Sequence, residues 1–340
     1  MTAPTSTRLS PTARWIFGST IIIAALAVLI IGLALSERST EPTAQPTSEQ
    51  SSGPVEAGPV ITDPAARLPE ATAMGEIEIA VQDLPTMTAF YRDILGLEIL
   101  EQSDESVSLG HDESLIRLTA TTGGADDPTS AGLYHSALLY PDAASLAQTL
   151  AGIAQLSPQS YQGSADHAVS LAFYIGDPEG NGVELYIDRP EDEWVWENGE
   201  VVMGSAFLDP NQFIDENLAD DAVGTATMGH VHLRVGDLDE ALAFYSGVLG
   251  FDVTAASDGA LFYSAGGYHH HVATNTWQSS GAGERGETAG LRALTVTVPA
   301  ASDIDDIASR LTDAGVENDS SGPALVTADP WGNTVRFVVR

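Results

Sequence analysis

The feature that most restricts what this chain can fold into is that it repeats. MGEIEIAVQDLPTMTAFYRDILG, Met74 to Gly96, returns as MGHVHLRVGDLDEALAFYSGVLG, Met228 to Gly250. Val81/Val235, Asp83/Asp237, Leu84/Leu238, Phe90/Phe244, Tyr91/Tyr245 and Gly96/Gly250 coincide. Each copy reads as a strand, an Asp capping a helix N-terminus, an amphipathic helix and a glycine stop. A second echo links GLYHSALLYP (Gly132 to Pro141) to GLRALTVTVP (Gly290 to Pro299), and DPEGNGVEL (Asp177 to Leu185) to DPWGNTVRF (Asp329 to Phe337). DPxGN is turn chemistry, with Pro, Gly and Asn fixing a tight reversal before a last strand. The globular part therefore holds four units of one strand–helix–strands pattern. They pair into two domains, residues 73–190 and 226–340, with 191–225, which carries Trp194 and Trp196, packing as the connector.

Composition narrows the chemistry. There is no cysteine, which excludes disulfides, a thiolate nucleophile and zinc–sulfur sites. Every cation is an arginine, and a formal charge of −35 repels nucleic acid and anionic lipid. Solubility or tolerance of high salt is the simpler account of that acidity. No GxSxG elbow, P-loop or dinucleotide fingerprint occurs. The Gly-rich piece from Ser279 to Glu287 reads as a flexible loop between units.

Ahead of the repeats lies a different kind of sequence. Residues 1–14 are polar and carry Arg8 and Arg14 with no acid. An uncharged apolar run of 21 residues follows, from Trp15 to Leu35. That matches the ~20 residues of a bilayer-spanning helix and exceeds the ~7–15 of a signal-peptide core. The leading arginines put residues 1–14 in the cytoplasm and the bulk of the chain outside. The expectation is a single-pass cell-membrane protein with extracytoplasmic C-terminal domains. Residues 36–72 are rich in Ser, Thr, Pro, Glu and Gln without periodicity, which predicts a disordered linker.

Two chemistry-bearing residues sit in apolar strand-like runs far apart in sequence, His135 in GLYHSALLY and Glu184 in VELYI. Such a pair suggests ligands meeting inside a curved sheet. Paired units opened by DLxxAxxFYxxxLG and closed by DPxGNxxE resemble the vicinal oxygen chelate superfamily. It includes glyoxalase I, bleomycin-resistance proteins and extradiol ring-cleaving dioxygenases. The likeness covers about residues 74–340, and DPEGNGVELYIDRPEDEW and SAGGYHHHVATNTW bring it nearest to two-domain catechol 2,3-dioxygenases. It implies an α+β fold of βαβββ units, two of which cup one divalent metal.

In that superfamily the ligands come from the first and last strands of a unit. The resemblance then implies His135 and Glu184 from unit two and His230, in GHVHL, from unit three. Unit one has Glu76 where unit three has His230. Unit four has Ala293 and Arg336 where unit two has His135 and Glu184. Units one and four thus look degenerate, which departs from extradiol enzymes, whose ligand-bearing units share the C-terminal domain. Units two and three have to meet through a swapped pairing for the site to exist. Taken singly, each of the three is more simply a hydrogen-bonded core residue; their coincidence at matching repeat positions favours ligands.

Two histidines and a carboxylate form the facial set of non-haem Fe(II) oxygenases, open to an aromatic substrate and O₂. Mn(II), Zn(II) or Ni(II) would also accept these ligands. The resemblance carries an acid/base role to His270 in GYHHHVATN, with strand alternation turning His269 and His271 to the other face. An imidazole titrates near neutrality, which suits that role; a partly exposed histidine cluster is the competing account. It also implies that Tyr174 hydrogen-bonds near a metal-bound oxygen and that His167 contacts a substrate hydroxyl, although Tyr174 is as simply a core aromatic. His232 shares the face of His230 as pocket wall or alternative ligand, and His111 reads as a surface residue. The expected activity is extradiol cleavage of a catecholic ring. A glyoxalase-like isomerase or lyase using a Lewis-acid metal and a non-catalytic small-molecule binding protein are the alternatives.

Overall fold

The computed structural model describes residues 67–219 and 224–340. The unit is built four times within them. In the first, β1 (Ala73–Val81) leads through α1 (Leu84–Ala89) into β2 (Glu98–Gln102), β3 (Ser106–Gly110) and β4 (Ser114–Ala120). The second runs β5 (Gly132–Leu139), α2 (Ala143–Leu156), β6 (Tyr161–Asp166), β7 (Ser170–Gly176) and β8 (Gly182–Asp188). Short strands β9 (Trp196–Glu197), β10 (Glu200–Val201) and β11 (Ala206–Phe207) then precede α3 (Pro210–Asn217). The third unit is β12 (Thr227–Arg234), α4 (Leu238–Ala241), β13 (Asp252–Ser257), β14 (Ala260–Ser264) and β15 (Val272–Asn275). The fourth is β16 (Gly290–Val298), α5 (Ala301–Asp313), β17 (Asn318–Asp319), β18 (Leu325–Ala328) and β19 (Thr334–Val339).

The repeated letters have structural jobs. Asp83 caps α1 by accepting from the Thr86 N–H at 3.1 Å, and Asp237 caps α4 from Asp239 and Glu240 at 2.9 and 3.0 Å. Both helices continue as π-helical turns, Phe90–Ile94 and Leu242–Val248, ended by Gly96 and Gly250 at positive φ. Tyr91 and Tyr245 point inward from these turns. Their hydroxyls donate to Asp177 (3.0 Å) and Asp329 (2.9 Å), the aspartates of the two DPxGN turns. Each aspartate also accepts from its own turn's Asn, so one carboxylate organises the turn and ties a neighbouring unit to it.

Two large sheets result, beside the small β9–β10 pair, and neither coincides with one half of the sequence. Units four and one make an eight-stranded sheet ordered β17-β18-β19-β16-β1-β4-β3-β2. Units two and three, with β11 on the edge, make a nine-stranded sheet ordered β11-β6-β7-β8-β5-β12-β15-β14-β13. The seam in each is an antiparallel pairing of first strands, β1 with β16 and β5 with β12. First and last strands of every unit lie side by side and parallel. The tyrosine–aspartate bonds then link unit one to two and unit three to four, across the sheets. Along β1 and β12 alternate residues, Ile77, Ile79, Val231 and Leu233, are buried in the main apolar core. The residues between them, Glu76 and Glu78 or His230 and His232, belong to the opposite face.

The linker expectation needs correcting at its end. Leu68 is buried, its N–H donates to the Gly250 carbonyl at 2.9 Å, and Thr72 is buried. Leu68 finds an apolar seat beside the end of unit three's helix, so residues 68–72 belong to the packed fold. The expected cytoplasmic residues 1–14, membrane helix 15–35 and linker up to residue 66 lie outside the described residues. Among the described residues no helix is long and apolar enough to cross a membrane.

Candidate active site

The seam of the nine-stranded sheet brings β8, β5 and β12 together in that order, and the three expected ligands come with them. His135 Nε2 lies 3.0 Å from Glu184 Oε2, His230 Nε2 lies 3.4 Å from the same oxygen, and the two Nε2 atoms are 3.3 Å apart. All three residues are buried, and among the described residues they form the group whose ligand atoms converge, within 4.8 Å of one another. Ligands about 2.1 Å from a shared ion and at right angles sit about 3 Å apart. The three separations therefore fit adjacent corners around one divalent cation. Register shifts in β12 between Met228 and His230 and between His232 and Leu233 accompany the His230–Ala137 and His232–His135 pairings.

Electrostatics agree with ligation. Burial works to raise the Glu184 carboxyl, but His230 and His135 together hold it well below the usual carboxylate range. Burial pushes His230 down to about 4 against the pull of Glu184. An ionised carboxylate beside a neutral imidazole is the protonation state a divalent cation needs.

His135 and Glu184 line a cavity of about 1060 Å³. Tyr174, paired with Glu184 in the β7–β8 ladder, brings its hydroxyl 2.7 Å from His167 Nε2. His167 Nδ1–H donates to the Gly204 carbonyl at 2.5 Å, which leaves Nε2 to accept from the phenol. Burial, reinforced by Glu184, pushes the Tyr174 phenol well up, so it remains an O–H donor. His270 lines the same cavity, its ring 4.1 Å centre to centre from His230. Burial first, and then the neighbouring imidazoles, hold His270 well below its ordinary value.

A family model described as the Glyoxalase/Bleomycin resistance protein/Dioxygenase superfamily matches residues 73–185 and 227–337. The chain belongs to that superfamily. It is 34% identical over 286 residues to a catechol-2,3-dioxygenase of Bacillus subtilis, covering 79% of this chain and 98% of the relative. It is 30% identical over 132 residues to a biphenyl-2,3-diol 1,2-dioxygenase of Rhodococcus globerulus, covering 36% and 68%. Among solved structures, a Bacillus subtilis protein assigned as a dioxygenase superposes with a TM-score of 0.55 at 12% identity, covering 80% of this chain and 86% of that one. That structural likeness speaks for the fold.

This member of the superfamily thus gathers His135, Glu184, His270, Tyr174 and His167 around one cavity, with His230 buried against His135 and Glu184. His232 is a wall residue, its Nε2 accepting from the Asn275 side-chain amide at 3.0 Å. His111 sits in the β3–β4 turn, outside the cavity. The expected alternation at His269–His271 does not hold. Residues 265–271 form a bent loop with Gly266 and Gly267 at positive φ, and His269 Nδ1 lies 2.7 Å from His270 Nδ1. Sequence reasoning missed the aromatic wall of Tyr134, Phe262 and Trp277, and the connector residues Val201–Ser205 that line the mouth. Tyr134 beside His135 and Trp277 at the end of ATNTW were the available signals.

Proposed function

We propose that this protein is an extradiol-type dioxygenase that opens a catecholic ring beside its hydroxyls, using O₂ and Fe(II) held by His135, Glu184 and His230. The observation that carries the reading is the convergence of two imidazoles and one carboxylate beside a large cavity that also presents a histidine and a tyrosine–histidine pair. Its similarity to a catechol-2,3-dioxygenase along nearly that relative's whole length supports the same conclusion. Held by His135, Glu184 and His230, a redox-active divalent ion would supply Lewis acidity and a path for electrons between the substrate and O₂.

The rest falls to the chain's own side chains. His270, facing the cavity beside His230, takes a proton from a substrate hydroxyl and returns it later. Tyr174 donates its O–H at the mouth of the triad, and the Gly204 carbonyl sets the tautomer of His167 that receives it. Tyr134, Phe262 and Trp277 give a planar ring an apolar wall and exclude water from it. The apolar run of residues 15–35 would tether this enzyme to the membrane, which sedimentation of the full chain with membranes, and its release by trimming before residue 67, would test.

The deciding experiment is oxygen uptake by protein loaded anaerobically with Fe(II), on adding catechol. Uptake with a yellow ring-opened product is the expected result. Stoichiometric metal with no uptake on catechol or substituted catechols would overturn the reading in favour of a Lewis-acid isomerase or a sequestering protein.

A further inference from the structure

Asp188, the last residue of β8, anchors a line of side chains that ends in the cavity. Its Oδ2 accepts from the Tyr268 hydroxyl at 2.9 Å, and its Oδ1 lies 2.9 Å from His269 Nε2. The Tyr268 oxygen is itself 2.8 Å from the Tyr186 hydroxyl, so both carboxylate oxygens are held from known directions. His269 is fully buried, while the Asp188 side chain keeps 24% of its surface exposed. Beyond His269, the contact of Nδ1 with His270 Nδ1 at 2.7 Å completes the line Asp188–His269–His270.

Hydrogen-bond direction along this line is determined by its first member. A carboxylate can only accept, so His269 carries its hydrogen on Nε2. With that hydrogen on Nε2, His269 offers Nδ1 as the acceptor, and the hydrogen of His270 Nδ1 completes the 2.7 Å contact. His270 Nε2 is left with its lone pair free. It has no protein hydrogen-bond partner among the described residues, and the ring lines the cavity.

We propose that Asp188 is a positioning residue: through His269 it fixes His270 as the Nδ1–H tautomer, so that Nε2 meets the substrate as a proton acceptor. A histidine side chain without such a partner favours hydrogen on Nε2, the nitrogen that has to be bare. Loss of a tautomer-fixing carboxylate in this way lowers turnover while binding survives. The proposal rests on the reading of His270 as the proton-transfer group.

The chain's eight histidines make a direct test practicable. Ring-nitrogen spectra would be recorded on the full chain labelled with ¹⁵N-histidine and loaded with diamagnetic Zn(II), with His270→Gln assigning the signal. The expected result is a His270 protonated on Nδ1 and bare on Nε2. In Asp188→Ala hydrogen should move to Nε2, and the Fe(II) form should lose at least tenfold in kcat on catechol at unchanged KM and metal content. Asp188→Asn, whose amide can turn a donor toward His269, should lose the tautomer and the turnover as Asp188→Ala does. Tyr268→Phe keeps the His269 contact and should retain the tautomer and most of the turnover. A doubly protonated His269, an Nε2–H His270 in the parent protein, or an unchanged spectrum in Asp188→Ala would overturn the proposal. Loss of metal or fold in Asp188→Ala would make Asp188 structural and overturn it equally. Because the spectra need no turnover, inert protein with the expected tautomers would sink ring cleavage and leave this inference standing.

Discussion

Gly75 and Gly229 occupy the same place in the repeat, yet their replacement by alanine should have very different consequences. A Cβ on Gly229 would lie 1.8 Å from the Tyr186 hydroxyl oxygen and 2.7–2.8 Å from the adjoining ring carbons. On Gly75 the nearest atoms are threonine methyls, Thr297 at 3.2 Å and Thr295 at 3.3 Å. Tyr186 is fully buried, its hydroxyl 2.8 Å from that of Tyr268 and its ring centre 5.0 Å from that of His230. Gly229→Ala must push this phenol aside. Overpacking a core costs about 1–3 kcal/mol, and straining the hydroxyl contact adds about 1 kcal/mol. The sum is a destabilisation of about 2–4 kcal/mol. In Gly75→Ala the methyls have to give only a few tenths of an ångström, and lower freedom of the unfolded chain offsets about 0.4–1 kcal/mol. That change should stay within about 1 kcal/mol of the parent. Urea unfolding of metal-free protein reads both directly, as a fall in midpoint at constant slope. Tyr186→Phe removes the atom at 1.8 Å and should recover part of the Gly229→Ala loss, leaving the contact at 2.7 Å. Equal stability of the two alanine variants would refute the reasoning, as would a Gly229→Ala cost undiminished in the Tyr186→Phe background.

Other expectations concern the metal and its neighbours. His135→Ala and Glu184→Ala should abolish stoichiometric metal binding while Glu76→Ala leaves it intact; equal loss in all three by elemental analysis would break the assignment of units. Metal at a hundredfold excess over its Kd should stabilise the parent by about 2.7 kcal/mol, and the increment should vanish in Glu184→Gln, as thermal shift will show. Tyr174→Phe and His167→Ala should keep their metal and lose roughly a hundredfold in kcat; full activity in both would remove the pair from the mechanism.

Much of this arrangement was legible because the chain repeats. Matching Met74–Gly96 to Met228–Gly250 put His230 and Glu76 in register, and matching the DPxGN turns put Glu184 opposite Arg336. Comparison within one chain thus separated residues a fold requires from residues that one unit alone retains. The swapped pairing of units followed from the demand that His135 and His230 meet, and the β5–β12 seam meets it. Local rules failed where the backbone leaves regular structure. At His269–His271 a period of two presumes a strand, but the Gly266–Gly267 turn delays β15 until Val272, so His269 and His270 touch instead of facing apart. The connector carried no periodic signal, yet it lines the cavity mouth, because its placement depends on β11 joining the edge of β6. Asp188, within DPEGNGVELYIDRP, carries no local signal of a role, since its partners lie about 80 residues away on another unit.

The eight-stranded sheet explains why only one of two related seams suits a metal. The position of Glu184 is taken there by Arg336, that of His135 by Ala293, and those of His230 and His232 by Glu76 and Glu78. Arg336 donates to Glu78 at 2.8 Å, Thr119 donates to the other Glu78 oxygen at 3.0 Å, and Arg117 donates to Glu76 at 2.9 Å. Each carboxylate that could have ligated a cation already faces a guanidinium. A divalent ion in this seam would meet the fixed charge of Arg336 where its carboxylate ligand should be, and would have to break ion pairs to enter. The charge reversal at one strand position therefore does two things at once. It replaces a ligand with a repulsive cation, and it occupies Glu78, one of the two acids that replaced the histidines. Restoring only Arg336→Glu would bring that carboxylate beside Glu78 with no cation left between them. The vacant seam would then need His at 76 and 293 as well before it could hold a metal, which is why the two sheets share a frame and only one can carry the chemistry.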